Sequence, residues 1–153
     1  GIGGVTEERK QIAETLLNAG ARLNLNSAME NGNHDYVLER ITGPNAHDEI
    51  YAAPFPNDLL TQAVCAGSLE IVSLLLKHGI SVNSIGSKGC TALCVACQTN
   101  APGSIVKLLL DNGADIDARI YSEDDNSFET PLDRARKNCN SELANILIEK
   151  KKG

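Results

Sequence analysis

The sequence predicts an all-α solenoid of stacked helix-turn-helix units, and three observations lead there. First, the chain repeats itself. The run Ala63-Val64-Cys65-Ala66-Gly67-Ser68-Leu69-Glu70-Ile71-Val72-Ser73-Leu74-Leu75-Leu76-Lys77-His78-Gly79 returns as Ala96-Cys97, then Ile105-Val106-Lys107-Leu108-Leu109-Leu110-Asp111-Asn112-Gly113. Leu60 and Leu93 stand 33 positions apart, as do Ala63 and Ala96. A period of this length marks small supersecondary units, none of which can bury its own apolar face alone. Second, each period carries helix punctuation: Thr130 suits an N-cap and Pro131 a first helical position. Third, the connecting segments are short or broken by Pro and Gly, which leaves room for very little strand.

Within a unit, each part has a physical reason. Leu and Ala three apart, as in Leu60/Ala63, Leu93/Ala96 and Leu132/Ala135, put one narrow apolar stripe on a short helix. The small Ala lets a second helix approach closely. Gly67 ends the first helix in a left-handed conformation, and Ile71-Val72-x-Leu74-Leu75 makes the longer second one. Thr130-Pro131-Leu132-Asp133-Arg134-Ala135 and Gly89-Cys90-Thr91-Ala92-Leu93-Cys94-Val95-Ala96 resemble the T-P-L-H-x-A signature of ankyrin repeats, whose period is 33 residues. The endings agree: Gly79 then Val82-Asn83, Gly113-Ala114-Asp115-Ile116-Asp117, and Gly20-Ala21-Arg22-Leu23-Asn24. The resemblance covers residues 6–150 and is strongest over 57–150. It implies an ankyrin-type solenoid with protruding finger loops, and a concave surface of finger tips and inner-helix faces that binds proteins.

Read in order, the chain gives about four and a half units. Residues 1–5, beginning Gly1-Ile2-Gly3-Gly4, read as a tag or linker. A single domain follows over 6–150. Residues 6–24 form an N-terminal half repeat, with an outer helix over Thr6 to Ala19 and no inner helix before it. That opening suggests a chain cut from a longer protein. Full repeats are expected at 25–42, 57–83 and 90–117, a C-terminal repeat at 129–150, and a tail at 151–153. The finger between Gly20 and Leu25 is almost deleted. The one at 43–57 is long, and Pro44, Pro54 and Pro56 exclude a regular hairpin over much of it. The one at 80–90 is short, and the one at 114–129 carries five extra residues within Tyr121 to Phe128. Thr61, Cys94 and Asp133 occupy the family's His position, so its usual network between fingers is not expected. Asn100 and Cys139 stand where Gly is expected, and Asn tolerates the left-handed region. The core should contain Leu60, Ala63, Ile71, Leu74, Leu75, Leu93, Ala96, Leu108, Leu109, Leu132, Ala135 and Ile146.

Composition sets further limits. A chain of 153 residues with 42% hydrophobic residues, 3% aromatics and no Trp suits a core of Leu, Ile, Val and Ala between thin helices. No apolar run approaches the roughly 18 residues needed to cross a membrane. Five Cys, an odd number, fit a reducing cytoplasmic or nuclear compartment, or a host cytosol if the protein is a bacterial effector. The net charge of −6 lies in residues 1–76, with four basic against ten acidic groups. Nucleic acid is not an expected partner, since phosphate binding needs a basic face.

Catalytic and metal chemistry find little footing. Cys90, Cys94 and Cys97 have metal-like spacing, but the repeat points them in different directions, which cannot close a tetrahedron. Cys97 takes an interhelical Ala position, where a buried thiol packs as an apolar group. His34, His47 and His78 fall in turns or at helix ends, where exposure is expected. Asp124-Asp125-Asn126-Ser127 lacks the ligand ring of a calcium loop. No catalytic residue, metal or cofactor is expected.

The expected function is protein–protein interaction by a domain that is a monomer by itself, with a protein or peptide partner. Fingers at 43–57 and 114–129 should flank the short finger as the walls of a saddle, with Tyr51, Phe55 and Tyr121 on the walls and Lys88 on the floor. Glu123 and Asp124 should stand at the rim. Gln62, Val95, Gln98, Arg134 and Lys137 should continue the surface along the inner helices. Phe128, just before a helix, is expected to pack at the base of its finger. The alternative is the regulatory or targeting arm of a larger enzyme, or of a secreted bacterial effector.

Overall fold

The structure, a computed structural model, describes residues 24–153 together with Glu7, Glu8, Gln11, Ile12 and Thr15, which are helical. The expected linker at 1–5 and most of the half repeat at 6–24 lie outside the described residues. The described elements are α1 (Leu25–Glu30), α2 (His34–Thr42), α3 (Ala46–Tyr51), α4 (Pro56–Cys65), α5 (Leu69–Lys77), α6 (Ala92–Gln98), α7 (Gly103–Asp111), strands β1 (Ile120–Ser122) and β2 (Ser127–Glu129), α8 (Pro131–Lys137) and α9 (Ser141–Lys152). Inner helices α1, α4, α6 and α8 pack in sequence order, and outer helices α2, α5, α7 and α9 do the same behind them. The result is the expected two-helix-deep solenoid.

The residue types at the helix ends explain the regularity. Asn24, Ser68, Thr91 and Asn140 each accept a backbone N–H from the first turn of the following helix. Thr130 goes further: its hydroxyl accepts from Asp133 N while the Asp133 carboxylate accepts from Thr130 N, a reciprocal cap. Between the helices of a pair, the chain turns through a left-handed residue: Gly32, Gly67, Asn100 (φ 53°) and Cys139 (φ 54°). Each turn is closed by the same six-to-one bond, from Asn33 N to Ala28 O, Ser68 N to Ala63 O, Ala101 N to Ala96 O, and Asn140 N to Ala135 O. Asn100 and Cys139 thus hold the conformation expected of Gly, at the cost of Cβ crowding.

The core runs unbroken along the stack. Ala28, Ala63, Ala96 and Ala135 are fully buried on the inner helices, and Leu60, Ile71, Leu75, Leu93 and Leu109 are buried around them. Leu74, Leu108, Leu132 and Ile146, expected inside, are half-buried and lie against the core from its margin. For Leu74, Leu108 and Ile146, the apolar stripe of the outer helix is wider than the space behind the inner ones, so its edge stays partly wet.

The segment 43–57 departs from expectation. It is not a tall finger, because residues 46–51 form helix α3 packed on α2. Its buried residues, Ala46, Ile50 and Ala53, recur at helical spacing and turn one face into the core. Asp48 and Glu49 fall in its first turn, where the helix dipole favours negative charge. The prolines exclude a hairpin, as expected, but they sit outside the helix and so do not break it.

Leu75→Ala and Leu109→Ala should each lower unfolding free energy by about 2–5 kcal/mol through transfer and cavity terms. Urea titration measures this; two variants that unfold with the parent would mean that these side chains do not share the core.

Candidate protein-binding surface

Among the described residues the fingers carry a single two-stranded hairpin, so side chains reaching across from neighbouring repeats hold them. The Asn26 amide grips one residue at two points: Nδ2 donates to Phe55 O at 3.0 Å and Oδ1 accepts from Phe55 N at 3.1 Å. One step along, Asn83 bridges two residues, donating to Gly113 O at 3.1 Å and accepting from Asp115 N at 2.7 Å. Between them, the Asp58 carboxylate accepts from both the backbone N–H and the hydroxyl of Ser87, each at 2.6 Å. A Cβ on Gly86 would fall 2.5 Å from Asp58 Oδ1, so a side chain there would have to displace the carboxylate that holds Ser87. Asn138 donates to Cys97 O and Gln98 O at the bases of the last two inner helices.

The last finger is the hairpin β1–β2, with Ile120 opposite Glu129, Tyr121 opposite Phe128 and Ser122 opposite Ser127. Tyr121 and Phe128 meet edge to face, 5.6 Å between ring centroids, on the solvent side. The Tyr121 hydroxyl donates to Asn126 at the turn. At the foot of the hairpin, buried Glu129 pairs with Arg134 at 3.3 Å and with Lys137, and Lys137 also reaches Asp125 Oδ2 at 2.8 Å. Hydrogen bonds from Lys137 and then Ser127 hold the Asp125 carboxyl down to about 2. The Lys137 ammonium is shifted upward by the same bonds to Asp125 and Glu129.

This geometry relocates several expected site residues. Arg134 and Lys137 are not free on the inner-helix surface; they anchor the hairpin, and the Arg134 side chain is largely buried. Gln62 is half-engaged, accepting from Asn26 Nδ2 and donating to Glu30 Oε1. Val95 is half-buried against the core, whereas Gln98 is exposed with its carbonyl taken by Asn138. Tyr51 stands at the end of helix α3, its ring 4.5 Å from that of His47, and its hydroxyl lies over Gly79. It therefore lines the base of the second finger, not the wall of a first. His78, expected to be solvated, is half-buried and bonds Ile41 O through Nε2 at 2.8 Å. Lys88, Glu123 and Asp124 are exposed.

The exposed apolar side chains gather on the finger segments. Phe55 is 58% exposed, Ile85 62%, Tyr121 51% and Phe128 66%. Phe128 therefore does not pack beneath its finger: the strand alternation that buries Ile120 and Glu129 turns Tyr121 and Phe128 outward. Ile85 was missed in the sequence, although an isolated Ile between Ser84 and Gly86 in a loop is a recognisable signal.

Among the described residues, no group of three His, Cys, Asp or Glu is placed to hold a metal, and no helix is long and apolar enough to cross a membrane. The five thiols are free, with Cys94 and Cys97 buried between helices. Burial first, then the neighbouring Cys94, pushes the Cys97 thiol up to about 12, so it stays protonated and non-nucleophilic near neutrality.

Two measurements check this description. A disulfide reagent at pH 8 should label exposed Cys139 in the native state and Cys97 only on unfolding; fast native labelling of Cys97 would contradict its packing. The second concerns the hairpin anchor. A carboxylate depressed in the folded state stabilises that state above its unfolded pKa of about 3.9. That contribution drains away as pH falls through the folded value of about 2. Carbon-detected NMR should find the Asp125 midpoint near 2, returning to the ordinary carboxylate range in Lys137→Ala; an unmoved midpoint would rule out the pairing.

The comparisons with known proteins agree with the architecture. A family model of ankyrin repeats (3 copies) matches residues 25–120. Ankyrin repeat and KH domain-containing protein mask-1 of Caenorhabditis elegans is 32% identical over 150 residues, 95% of this chain but 5% of that protein. Protein phosphatase 1 regulatory subunit 27 of Homo sapiens is 37% identical over 73 residues, 48% of this chain and 45% of its own length. An ankyrin repeat protein of Fowlpox virus (strain NVSL) is 44% identical over 57 residues, 37% of this chain and 13% of its own. The chain thus spans less than half the length of each of these relatives. The repeated turns, the paired helices and the family match agree: this chain belongs to the ankyrin-repeat family.

Proposed function

We propose that this domain binds a positively charged protein or peptide along its fingers and the adjoining inner-helix face, making and breaking no covalent bond. Ankyrin repeats are non-catalytic modules that mediate protein–protein interaction. The observation that carries the finer reading is the coincidence of exposed apolar side chains with net acidic charge in the first and last finger segments. Segment 43–58 holds three acidic residues and no Lys or Arg, 79–90 a single Lys, and 113–130 six acidic residues and one Arg. Phe55, Ile85, Tyr121 and Phe128 stand exposed within these segments. Aromatic anchors in an acidic surround favour encounter with a basic partner and then hold it by buried area. The five free thiols support a reducing setting, cytoplasmic or nuclear.

A second reading is that the domain is a regulatory or targeting arm. It draws support from the phosphatase 1 regulatory subunit that matches this chain over 73 residues. Both readings place the work in binding.

Affinity capture, followed by kinetics on the purified partner, tests the proposal. Reversing the rim in Glu123→Lys/Asp124→Lys should slow association by roughly tenfold at low salt. The difference should shrink as salt shortens the screening length to a few ångströms. Tyr51→Ala and Tyr121→Ala should each weaken binding by more than about 1 kcal/mol without lowering thermal stability. Unchanged kinetics in all three, with losses on substituting Lys77 or Lys107, would move the site to the outer helices.

A further inference from the structure

We infer that the ligand is an extended basic peptide with apolar side chains at every third position, laid along the finger crest over Phe55, Ile85 and the Tyr121–Phe128 pair. The inference rests on the finger surface proposed above and specifies what lies on it. Three contacts place the crest residues on successive, mutually tied segments. Asn26 fixes the backbone of Phe55, Asp58 in the same segment fixes Ser87 two residues after Ile85, and Asn83 fixes Gly113 and Asp115 at the root of the hairpin. The exposed apolar groups therefore advance along the stack with the repeats, one step per finger.

Stacked helices lie about 8–10 Å apart, so one finger step is about that long. An extended chain in the polyproline II conformation rises about 3.1 Å per residue with three residues per turn, so three residues cover one step and every third side chain returns to the same face. A ligand helix, rising about 1.5 Å per residue, would need anchors about seven apart to match it. The surface favours the extended chain. A helix roughly 10 Å across needs walls on both sides to bury its face, and the first expected wall is the packed helix α3. What remains is a line of separate apolar contacts, which a thin chain can follow residue by residue. The finger segments hold nine acidic residues against two basic ones, which fixes the sign of the residues between the anchors as positive. Four of the nine are already paired, Glu49 with Arg40, Asp117 with Lys151, and Asp125 and Glu129 with Lys137, and the other five still outnumber the two basic residues.

Panning displayed random peptides of about twelve residues, roughly 40 Å when extended, against the purified domain reads the ligand directly. The enriched sequences should place apolar residues three apart with Lys or Arg between them. By fluorescence anisotropy, the best such peptide should lose about tenfold or more in affinity on Ile85→Ser or Phe128→Ser, the scale of a hot-spot truncation. It should bind Leu69→Ser, altered at an exposed outer-helix residue, like the parent. Thermal melts of the variants separate a binding loss from a folding loss. Anchors seven apart would mean a bound helix and overturn the inference. Loss on Gln98→Ala with Ile85→Ser unaffected would place the peptide on the inner helices, overturning the crest while leaving the protein-binding role intact. No enrichment at all would also overturn it.

Discussion

Ala28, Ala63, Ala96 and Ala135 each sit fully buried on the first helix of a pair, where the next pair leans against them. A larger side chain there would push neighbouring helices apart, and with them the apolar stripes that no single pair can cover alone. Close approach at these four positions merges separate stripes into one core, which reaches from Leu25 to Leu147. The turn that follows each Ala inherits the same constraint. Its six-to-one bond ends on the Ala carbonyl, so the left-handed residue after it, Gly or not, must adopt that geometry.

Because the core lies in the helices, the fingers contribute little to it and depend on polar ties. Asn26, Asp58 and Asn83 each reach about thirty residues along the chain to fix a neighbour's backbone. Such bonds convert loops that would move independently into a connected edge, and a connected edge loses less entropy when a ligand settles on it. The Glu129–Arg134–Lys137–Asp125 set does the equivalent for the hairpin. Its exposed arm, Lys137 with Asp125, is open to screening by salt, whereas buried Glu129 keeps two cationic partners and is the firmer half.

The helix pairs were legible because capping residues, turn glycines and the Leu/Ala stripe act locally, within a few positions of what they specify. Even the substitutions at Asn100 and Cys139 could be read as left-handed turns from their place in the period. Helix α3 was not, since the prolines around it exclude a hairpin locally, whereas burial of Ala46, Ile50 and Ala53 depends on packing against α2. The surface was legible only in outline. Tyr121, Glu123 and Asp124 are exposed on the hairpin as expected, but Arg134 and Lys137 are occupied by a Glu129 that only the folded hairpin brings within reach. Asn26, Asp58 and Asn83 carry no local mark of their partners either, for their bonds depend on how repeats stack. Ile85 is the residue that pattern alone should have exposed.

We propose that ligand binding belongs to the finger edge held by these ties and leaves the outer helices bare. Hydrogen–deuterium exchange of the domain with and without its captured partner tests this most directly. The account predicts new protection within 79–90 and 113–130 and at the exposed ends of α4 and α6, with α5, α7 and α9 exchanging as before. Protection gained mainly on those outer helices, with the finger segments unchanged, would contradict it.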